Sequence, residues 1–333
     1  MRGKTNAMYE VRKITSTDLT VTDMNAVILP EDLGVTYFDK VTVKAENVFA
    51  KGYCSGMIPH QIDKPMLEGA TLIRDYAFQN DTKLTSVILA DSITRTGYYT
   101  FYNTGITYLE TGTGMQSIGE RTATGCRSLV KVVLRGNNAI VGSYSFQNDA
   151  ALEDVVLEEG ISQIYGYAFA GCARIKPIVI PESCTRVLES AFQVDATPPS
   201  YLNREFYVLF KRRPQWNDTH TTLTVNPTLF GSNILKNRPR DNLVAFVPWD
   251  CFLVYSTINV NGMNNANAGI WDDCGGWIEA QEGQTLPTTN TETYNGTTKT
   301  YSYSWYKEPS MTTPVTVADE DGTYYAYITE VTE

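Results

Sequence analysis

The chain has 333 residues, which allows two or three domains. Of these residues 42% are hydrophobic and 19% are charged, a composition typical of globular proteins. It carries 27 Lys and Arg against 37 Asp and Glu, so its formal net charge is −10, which argues against a nucleic-acid binder with a broad basic face. The 21 tyrosines and the many threonines favour β structure. The composition therefore predicts a mainly β protein.

Several classes of protein are disfavoured by what the sequence lacks. No apolar stretch follows the first ten residues, so we expect no secretory signal peptide, and no run of about 18 apolar residues predicts a membrane span. The six cysteines form no Cys-x-x-Cys pair and are expected to be buried thiols. Only two histidines, His60 and His220, are present, so we expect no catalytic activity, no cofactor and no metal site.

Residues 1–65 predict a small N-terminal β module. Segments rich in Val, Thr and Ile lie at Met8–Ile14, Leu19–Leu29 and Lys40–Ala45, and Glu31–Gly34 has the composition of a turn. We expect this module to attach the protein to a larger particle.

An internal repeat occupies residues 66–195 and is the strongest signal in the sequence. One column of the repeat holds Phe78, Phe101, Ala123, Phe146, Phe169 and Phe192. The spacings are 23, 22, 23, 23 and 23 residues. A second column, five residues earlier, holds Ile73, Thr96, Ile118, Val141, Ile164 and Val187. Each unit also carries a Leu-x-x-Val-x-Leu stretch or a close variant of it, whose alternation fits a strand with one buried face.

One such unit cannot bury its own apolar side chains, so the units are expected to stack and to place like residues over one another. The stacking predicts a parallel sheet and a ladder of the five phenylalanines, with Ala123 as a gap. The fold class is therefore mainly β: a solenoid of about six 23-residue coils, flanked by small N- and C-terminal β modules.

The segment Ile164–Pro181, which reads IYGYAFAGCARIKPIVIP, resembles the unit of the BspA-type (treponemal) leucine-rich repeat family, I-G-x-x-A-F-x-x-C-x-x-L-x-x-I-x-I-P in outline. Cys126 and Cys172 lie at the cysteine column of that family, and Asp81, Asp149 and Asp195 replace it in other units. The family occurs in bacteriophage structural and tail-fibre proteins and in bacterial surface adhesins. The resemblance implies a binding scaffold rather than an enzyme.

Two flanking segments carry related resemblances. Tyr37–Lys44 is similar to a small module that precedes such repeats in bacteriophage structural proteins. Residues 196–280 break the period and predict an atypical C-terminal repeat or cap. Within them Phe246–Pro248 followed by Tyr255 resembles the last unit of the family, with Trp271 or Trp277 in its Trp position.

Residues 281–333 predict a Thr/Tyr-rich β-hairpin module. Gln281–Lys299 has the composition of a linker and turn, and Val315–Ala318 with Tyr324–Val331 is expected to form a hairpin around Asp319–Gly322. The alternation in Thr300–Tyr306 puts three aromatic residues on one face. This face is expected to pack against the hairpin or a partner chain, and it consists of Tyr301, Tyr303 and Trp305.

Tyrosines outside the phenylalanine column are the candidate binding residues. They are Tyr98, Tyr99, Tyr102, Tyr144, Tyr165 and Tyr167. Exposed tyrosine gives rigid contact area and a hydroxyl group, which suits recognition, including stacking on sugars. The alternative is that they only cover the solenoid.

Three weaker candidates have simpler interpretations. Lys211–Arg213 with Arg238 and Arg240 is a basic cluster that could face an acidic partner or lie in a solvated loop. Asp319–Gly322 is similar to a calcium loop but lacks its glycine, so a turn is expected. Asp272 and Asp273 are adjacent and would point to opposite faces of a strand, so they are not expected to form a catalytic pair.

These observations favour a bacteriophage virion protein assembled in the host cytoplasm, a fibre or receptor-binding component that presents a rigid repeat surface for host attachment. A capsid decoration protein or head fibre is the first alternative, and a bacterial cell-surface leucine-rich-repeat adhesin is the second. Expected partners are other virion proteins through the N-terminal module, a host surface glycan or protein, and further copies of the chain. A trimer is compatible with each role. Nucleic acid and membrane insertion are not expected.

Overall fold

A computed structural model gives the fold of the chain. It describes residues 71–195, 199–200, 202–203, 205–218, 222–231, 233–238, 244–261 and 274–331, and at 18–21, 40–43, 61–62, 230 and 259–261 it describes only the backbone. Most of the predicted N-terminal module, including half of Tyr37–Lys44, lies outside these residues, as do both histidines.

Short strands dominate the structure. Before the repeats they are β1 (Asp18–Val21), β2 (Lys40–Val43) and β3 (Gln61–Ile62). In the first repeats they are β4 (Leu72–Ile73), β5 (Ser86–Ile88), β6 (Arg95–Thr96), β7 (Tyr108–Glu110), β8 (Ser117–Ile118) and β9 (Lys131–Leu134). In the later repeats they are β10 (Ala139–Val141), β11 (Asp154–Leu157), β12 (Ile161–Ile164), β13 (Ile178–Ile180) and β14 (Arg186–Val187).

The C-terminal part adds longer strands and one helix. Its first strands are β15 (Val208–Phe210), β16 (Gln215–Trp216), β17 (Leu223–Val225), β18 (Leu229–Phe230) and β19 (Ala245–Pro248). A 3-10 turn at Trp249–Cys251 leads into helix α1 (Phe252–Asn261). The last strands are β20 (Cys274–Ala280), β21 (Thr289–Tyr294), β22 (Thr297–Tyr306), β23 (Pro314–Val315) and β24 (Gly322–Glu330).

Successive repeats wind as coils of one solenoid, which confirms the predicted fold class. Each coil gives one strand to a seven-stranded parallel sheet, in the order β18-β14-β12-β10-β8-β6-β4. It gives a second strand to another parallel sheet, in the order β11-β9-β7-β5-β3. Equivalent residues pair across coils: Leu109 lies opposite both Val87 and Val132. Strand pairing therefore sets the register of every column.

The phenylalanine column forms the interior ladder. All five rings are fully buried, and the centroids are 5.3 Å apart for Phe78 and Phe101, 5.2 Å for Phe146 and Phe169, and 5.6 Å for Phe169 and Phe192. Ala123 separates the ladder into a pair and a triplet.

Threonine replaces an aliphatic residue at one buried position of the second column. The hydroxyl of Thr96 lies 3.0 Å from that of Thr122 and accepts a hydrogen bond from the Gly119 amide, also at 3.0 Å. These two bonds compensate for the loss of water on burial.

A seventh coil follows the six repeats and is hidden in the sequence by inserted residues. The Phe192 amide donates to Ile234 O at 2.9 Å, as the Phe146 amide donates to Ala168 O at 2.8 Å, so Leu235 occupies the phenylalanine position. The insertion includes the antiparallel hairpin β16–β17. This coil lies within 196–280, where an atypical unit is expected; the boundaries of the predicted domains stay a prediction.

The second wall of the solenoid continues into the C-terminal sheet. Its order is β13-β15-β19-β20-β24-β22-β21, and the pairing is parallel up to β20 and antiparallel from there on. The last coil is thus covered by strands that extend its own sheet, which satisfies the hydrogen bonds of an otherwise open edge.

Two expectations for the C-terminal residues are wrong. Gln281–Lys299 is not simply a linker and turn, because β21 and the start of β22 form a hairpin around Asn295 and Gly296, both at positive φ. Val315–Ala318 does not pair with Tyr324–Val331; β23 pairs with β22, and β24 lies between β20 and β22.

The aromatic face of β22 is covered within the chain itself. Tyr301, Tyr303 and Trp305 are buried. Phe252 meets Tyr301 edge-on at 5.3 Å, Trp249 meets Tyr303 edge-on at 5.4 Å, and Tyr303 donates to Trp249 O at 2.8 Å. These contacts attach the helical segment to the sheet.

Glu292 on β21 caps helix α1. Its carboxylate accepts hydrogen bonds from the Phe252 amide at 3.2 Å and the Leu253 amide at 2.8 Å. Burial raises the pKa of Glu292 to about 7, and nearby Asp250 adds to the rise, although the two amides oppose it. The cap is therefore a carboxyl group that titrates near neutral pH.

Replacing Phe146 by alanine should lower the free energy of unfolding by about 3–5 kcal/mol, because a fully buried ring with a stacked neighbour is lost. Urea unfolding followed by circular dichroism measures this. Val179→Ala, at a site that is 42% exposed, should change it by no more than about 0.5 kcal/mol. Equal effects of the two variants would contradict the ladder.

Replacing Glu292 by glutamine should remove a pH dependence of stability. The pKa of the folded state exceeds the unfolded value of about 4.3, so the folded protein binds more protons between these values, and the free energy of unfolding falls as the pH rises from about 4 to 7. The difference between wild type and variant should change across this window by at most about 3 kcal/mol. Urea unfolding at a series of pH values measures it, and parallel profiles would contradict the raised pKa.

Candidate functional site

Each coil turns its corner through left-handed backbone two residues before the buried phenylalanine position, and all but the sixth coil have a second left-handed residue two residues after it. Two residues before that position, φ lies between 54° and 60° at Tyr76, Tyr99, Arg121, Tyr144, Tyr167, Ser190 and Asn233. Two residues after it, φ is also positive at Asn80, Asn103, Gly125, Asn148, Gly171 and Asn237. Asparagine and glycine suit this conformation, whereas tyrosine and arginine adopt it at a cost of about 1 kcal/mol or more.

The residues two positions before the phenylalanine column form another aromatic ladder on the outside of the coils. We call it the tyrosine ladder, and it consists of Tyr76, Tyr99, Arg121, Tyr144 and Tyr167. The rings of Tyr76 and Tyr99 stack with centroids 5.3 Å apart and planes 6° apart. Those of Tyr144 and Tyr167 stack at 5.0 Å and 7°. The stacking offsets the strain of the backbone.

Arg121 joins the two tyrosine pairs. Its guanidinium carbon lies 4.4 Å from the centroid of Tyr144 and 5.8 Å from that of Tyr99, within the range of cation–π contacts. Its Nε lies 3.3 Å from a carboxylate oxygen of Glu120. The ladder therefore continues without interruption across five coils, and its one cation is paired.

The ladder side chains are half-buried, and ring stacking decides which part of each ring a ligand can reach. Neighbours cover the faces of Tyr99 and Tyr144 on at least one side, so the ring edges remain for contact with solvent. Among the residues that the structure describes, the hydroxyls of Tyr99, Tyr144 and Tyr167 have no hydrogen-bond partner. The ladder thus offers phenol edges rather than open ring faces.

The other predicted tyrosines surround the ladder in different ways. Tyr98 is 53% exposed, and its backbone amide donates to Asp75 at 2.8 Å. Tyr102 meets Tyr99 edge-on at 5.3 Å. Tyr165 is half-buried at the end of β12 and lies outside the ladder. The predicted set is therefore divided between three ladder members and three neighbours.

Sequence reasoning missed Tyr76 and Arg121. Both lie two residues before the phenylalanine position, so the phase of the repeat alone would have found them. Arg121 is also the one member of the ladder that is not aromatic, and a search restricted to tyrosine cannot include it.

Amide side chains form a polar row beside the ladder. Asn80, Asn103 and Asn148 are exposed at the second left-handed position, and Asn103 Nδ2 donates to Asn80 Oδ1 at 3.0 Å. Gln79 and Gln147, one residue earlier, are half-buried. Amides supply donors and acceptors without net charge, so the ladder and the row together form a largely neutral, hydrogen-bonding ridge.

A buried polar column lies behind this ridge. Cys126 and Cys172 donate through sulfur to Phe101 O at 3.0 Å and to Phe146 O at 2.9 Å. Burial raises the pKa of Cys126 to about 12 and that of Cys172 well above its usual value. Such thiols are held protonated and are poor nucleophiles, so this column is structural.

Asp149 and Arg238 belong to the same column. The Cys126 amide donates to Asp149 Oδ1 at 2.7 Å, and burial raises the pKa of this carboxyl well above its usual range. Arg238, in the seventh coil, donates to Phe192 O at 2.9 Å and Cys172 O at 3.0 Å. Arg238 therefore ties the last coil to the two before it.

Among the described residues of the predicted basic cluster, Lys211 is exposed, whereas the arginines are engaged within the chain. Arg238 is buried, Arg212 donates to Asn226 O and Glu182 O, and Arg213 pairs with Asp250 at 2.5 Å. Arg240 lies outside the described residues.

A turn is expected at Asp319–Gly322; the structure has a bend at residues 319–321, and Gly322 already begins β24. Asp319 pairs with Lys307 and accepts a hydrogen bond from the Tyr324 hydroxyl at 3.1 Å, so its carboxylate is already engaged. No group of acidic, cysteine and histidine side chains with metal-binding geometry occurs in the part of the chain that the structure describes. No described helix has the length and apolarity to cross a membrane. Asp272 and Asp273 lie outside the described residues.

Residues 71–197 match the model of the BspA type leucine rich repeat region in six copies. The repeat region belongs to the BspA-type leucine-rich repeat family. The seventh coil, built around Leu235, follows the six matched BspA-type repeats.

Solved structures offer distant similarities. A leucine-rich repeat protein from Bacteroides ovatus is 17% identical with a TM-score of 0.39, over 70% of this chain and 60% of its own length. A leucine rich cell surface protein from Faecalibacterium prausnitzii is 19% identical with a TM-score of 0.24, over 54% of this chain and 70% of that one. The pneumococcal vaccine antigen PcpA is 10% identical with a TM-score of 0.22, over 78% of this chain and 95% of that one. No curated protein matches the sequence.

Replacing Arg121 by alanine should lower the free energy of unfolding by about 1 kcal/mol, because its contacts with two rings are lost. Arg121→Tyr should restore wild-type stability or exceed it, because a ring at this position continues the stack. Urea unfolding of the three proteins measures both effects. If the tyrosine variant is as unstable as the alanine variant, the ladder makes no energetic contribution at this coil.

Proposed function

We propose that the protein is a non-catalytic attachment protein that binds its partner through the ridge formed by the tyrosine ladder and the adjacent amide row. The observation that carries the proposal is the continuity of the ladder over five coils with its ring edges half-exposed. Aromatic and amide side chains held on a rigid support are typical of recognition surfaces.

Binding at such a surface is passive. The backbone hydrogen bonds between coils and the stacked rings fix the side chains before a partner arrives, which lowers the entropy that binding costs. Repetition of the same groups along the solenoid gives many weak contacts, and assembly of several copies on one particle would multiply them by avidity.

The proposed carrier is a bacteriophage particle, on which the protein would act as a fibre or receptor-binding component. The similarity of Tyr37–Lys44 to a module of bacteriophage structural proteins supports this version, and the N-terminal module would dock to other virion proteins. Homo-oligomers, including a trimer, are compatible with it. Head decoration and a bacterial cell-surface adhesin are the competing carriers.

Antibody labelling of purified particles in the electron microscope distinguishes these carriers. Label at the tail is expected. Label on the head would favour decoration, and label on bacterial cells without particles would favour the adhesin.

Attachment itself is tested separately. The full chain is added to cells at saturating concentration, and the adsorption of particles or of labelled cells to them is then measured. We expect the free protein to compete. Absence of any competition would contradict the attachment role, whatever the carrier.

A further inference from the structure

The ligand chemistry that fits the ridge depends on how its rings are presented. Sugars that bind aromatic residues by stacking need an open ring face, and the inner members of the ladder have rings or a guanidinium against their faces: Tyr99 lies between Tyr76 and Arg121, and Tyr144 lies between Arg121 and Tyr167. A ligand that lies along the ladder therefore contacts hydroxyl edges, which donate and accept hydrogen bonds.

The spacing of these edges selects among linear polymers. Neighbouring rings are separated by 5.0–5.3 Å, close to the strand spacing of about 4.8 Å. Sugar units in an extended β-linked polysaccharide advance by a similar distance, so each unit meets an equivalent set of groups. An extended peptide repeats its same-face side chains every ~6.7 Å and loses register with the ladder within a few coils.

The charge of the ridge excludes a second group of polymers. Its single ladder cation, Arg121, is paired with Glu120, and the adjacent row consists of amides and glycine. A polyanion such as a nucleic acid or a sulfated glycan needs several free Lys or Arg side chains to balance its charges. The ridge suits an uncharged polymer rich in hydroxyl groups.

We infer that the ridge binds an extended, neutral, β-linked polysaccharide that lies along the solenoid axis and is held edge-on by the hydroxyls of the tyrosine ladder and by the adjacent amides. This inference rests on the proposed attachment function and names the ligand class of the same surface. This mode of binding requires the hydroxyl groups of the tyrosines, whereas stacking of sugars would require their open ring faces.

The full chain would be titrated by calorimetry with cello-oligosaccharides of increasing length, with dextran as a differently linked neutral glycan, heparin as a polyanion and an alternating Thr-Ser peptide. Five ladder positions at one strand spacing extend over about 20 Å. Affinity for cello-oligosaccharides should therefore rise with length and level off at about five sugar units. Dextran, heparin and the peptide should bind at least about tenfold more weakly.

The decisive variant combines Tyr99→Phe, Tyr144→Phe and Tyr167→Phe. It keeps every ring and every stack and removes only the hydroxyls, so affinity should fall by about tenfold or more while thermal stability is retained. The matched control, Tyr306→Phe with Tyr327→Phe, alters a ring pair of the C-terminal sheet (centroids 5.7 Å apart) and should bind as wild type does.

Three outcomes would overturn the inference: no binding of any cello-oligosaccharide, undiminished binding by the triple variant, or stronger binding of heparin or the peptide. Undiminished binding by the triple variant would indicate stacking on ring faces. If wild type competes for attachment to cells in each of these cases, the attachment role stands and only the ligand class is wrong.

Discussion

The distance between neighbouring parallel strands determines which side chains can stack from coil to coil in this protein. Pairing of equivalent residues in successive coils, such as Leu109 with Val87 and Val132, places every side chain about 4.8 Å from its counterparts. Flat rings fit that spacing in a stack. The phenylalanine ladder inside the solenoid (the inner ladder) has centroid distances of 5.2–5.6 Å. The tyrosine ladder outside it (the outer ladder) has centroid distances of 5.0–5.3 Å. Like charges repel one another at this distance, and the tyrosine ladder contains only one cation, which lies between rings.

The sequence predicted the solenoid because its signal is periodic and each coil contacts mainly the coils next to it in the chain. The seventh coil escaped because Leu235 follows Phe192 by 43 residues and is not aromatic. The equivalence is shown by the backbone bond from Phe192 to Ile234 O and by the parallel pairing of β18 with β14. The hairpin at Asn295 and Gly296 escaped although Asn-Gly is a strong hairpin signal. Its flanking threonines have the composition of a linker.

The candidate site was predictable in its residue type but not in its presentation. Tyr99, Tyr144 and Tyr167 were identified as exposed aromatic residues, whereas Tyr98, Tyr102 and Tyr165 belong to the surroundings of the ladder. The difference arises from backbone conformation: φ near +55° directs the side chains of one column along the corner of the coils. A positive φ at tyrosine contradicts local propensity, so sequence rules do not anticipate it.

The third coil shows how the inner and outer ladders depend on each other. It has Ala123 where the other five repeats have phenylalanine, and Arg121 where its neighbours have tyrosine. Without the inner ring, small polar side chains bond across the interior: the Thr96 hydroxyl lies 3.0 Å from that of Thr122, and the Thr104 hydroxyl lies 3.2 Å from the Cys126 sulfur. On the outside the longer arginine side chain reaches the rings on both sides and so maintains the continuity of the ladder. The coil with the weakest apolar interior is therefore held by polar contacts on both of its surfaces.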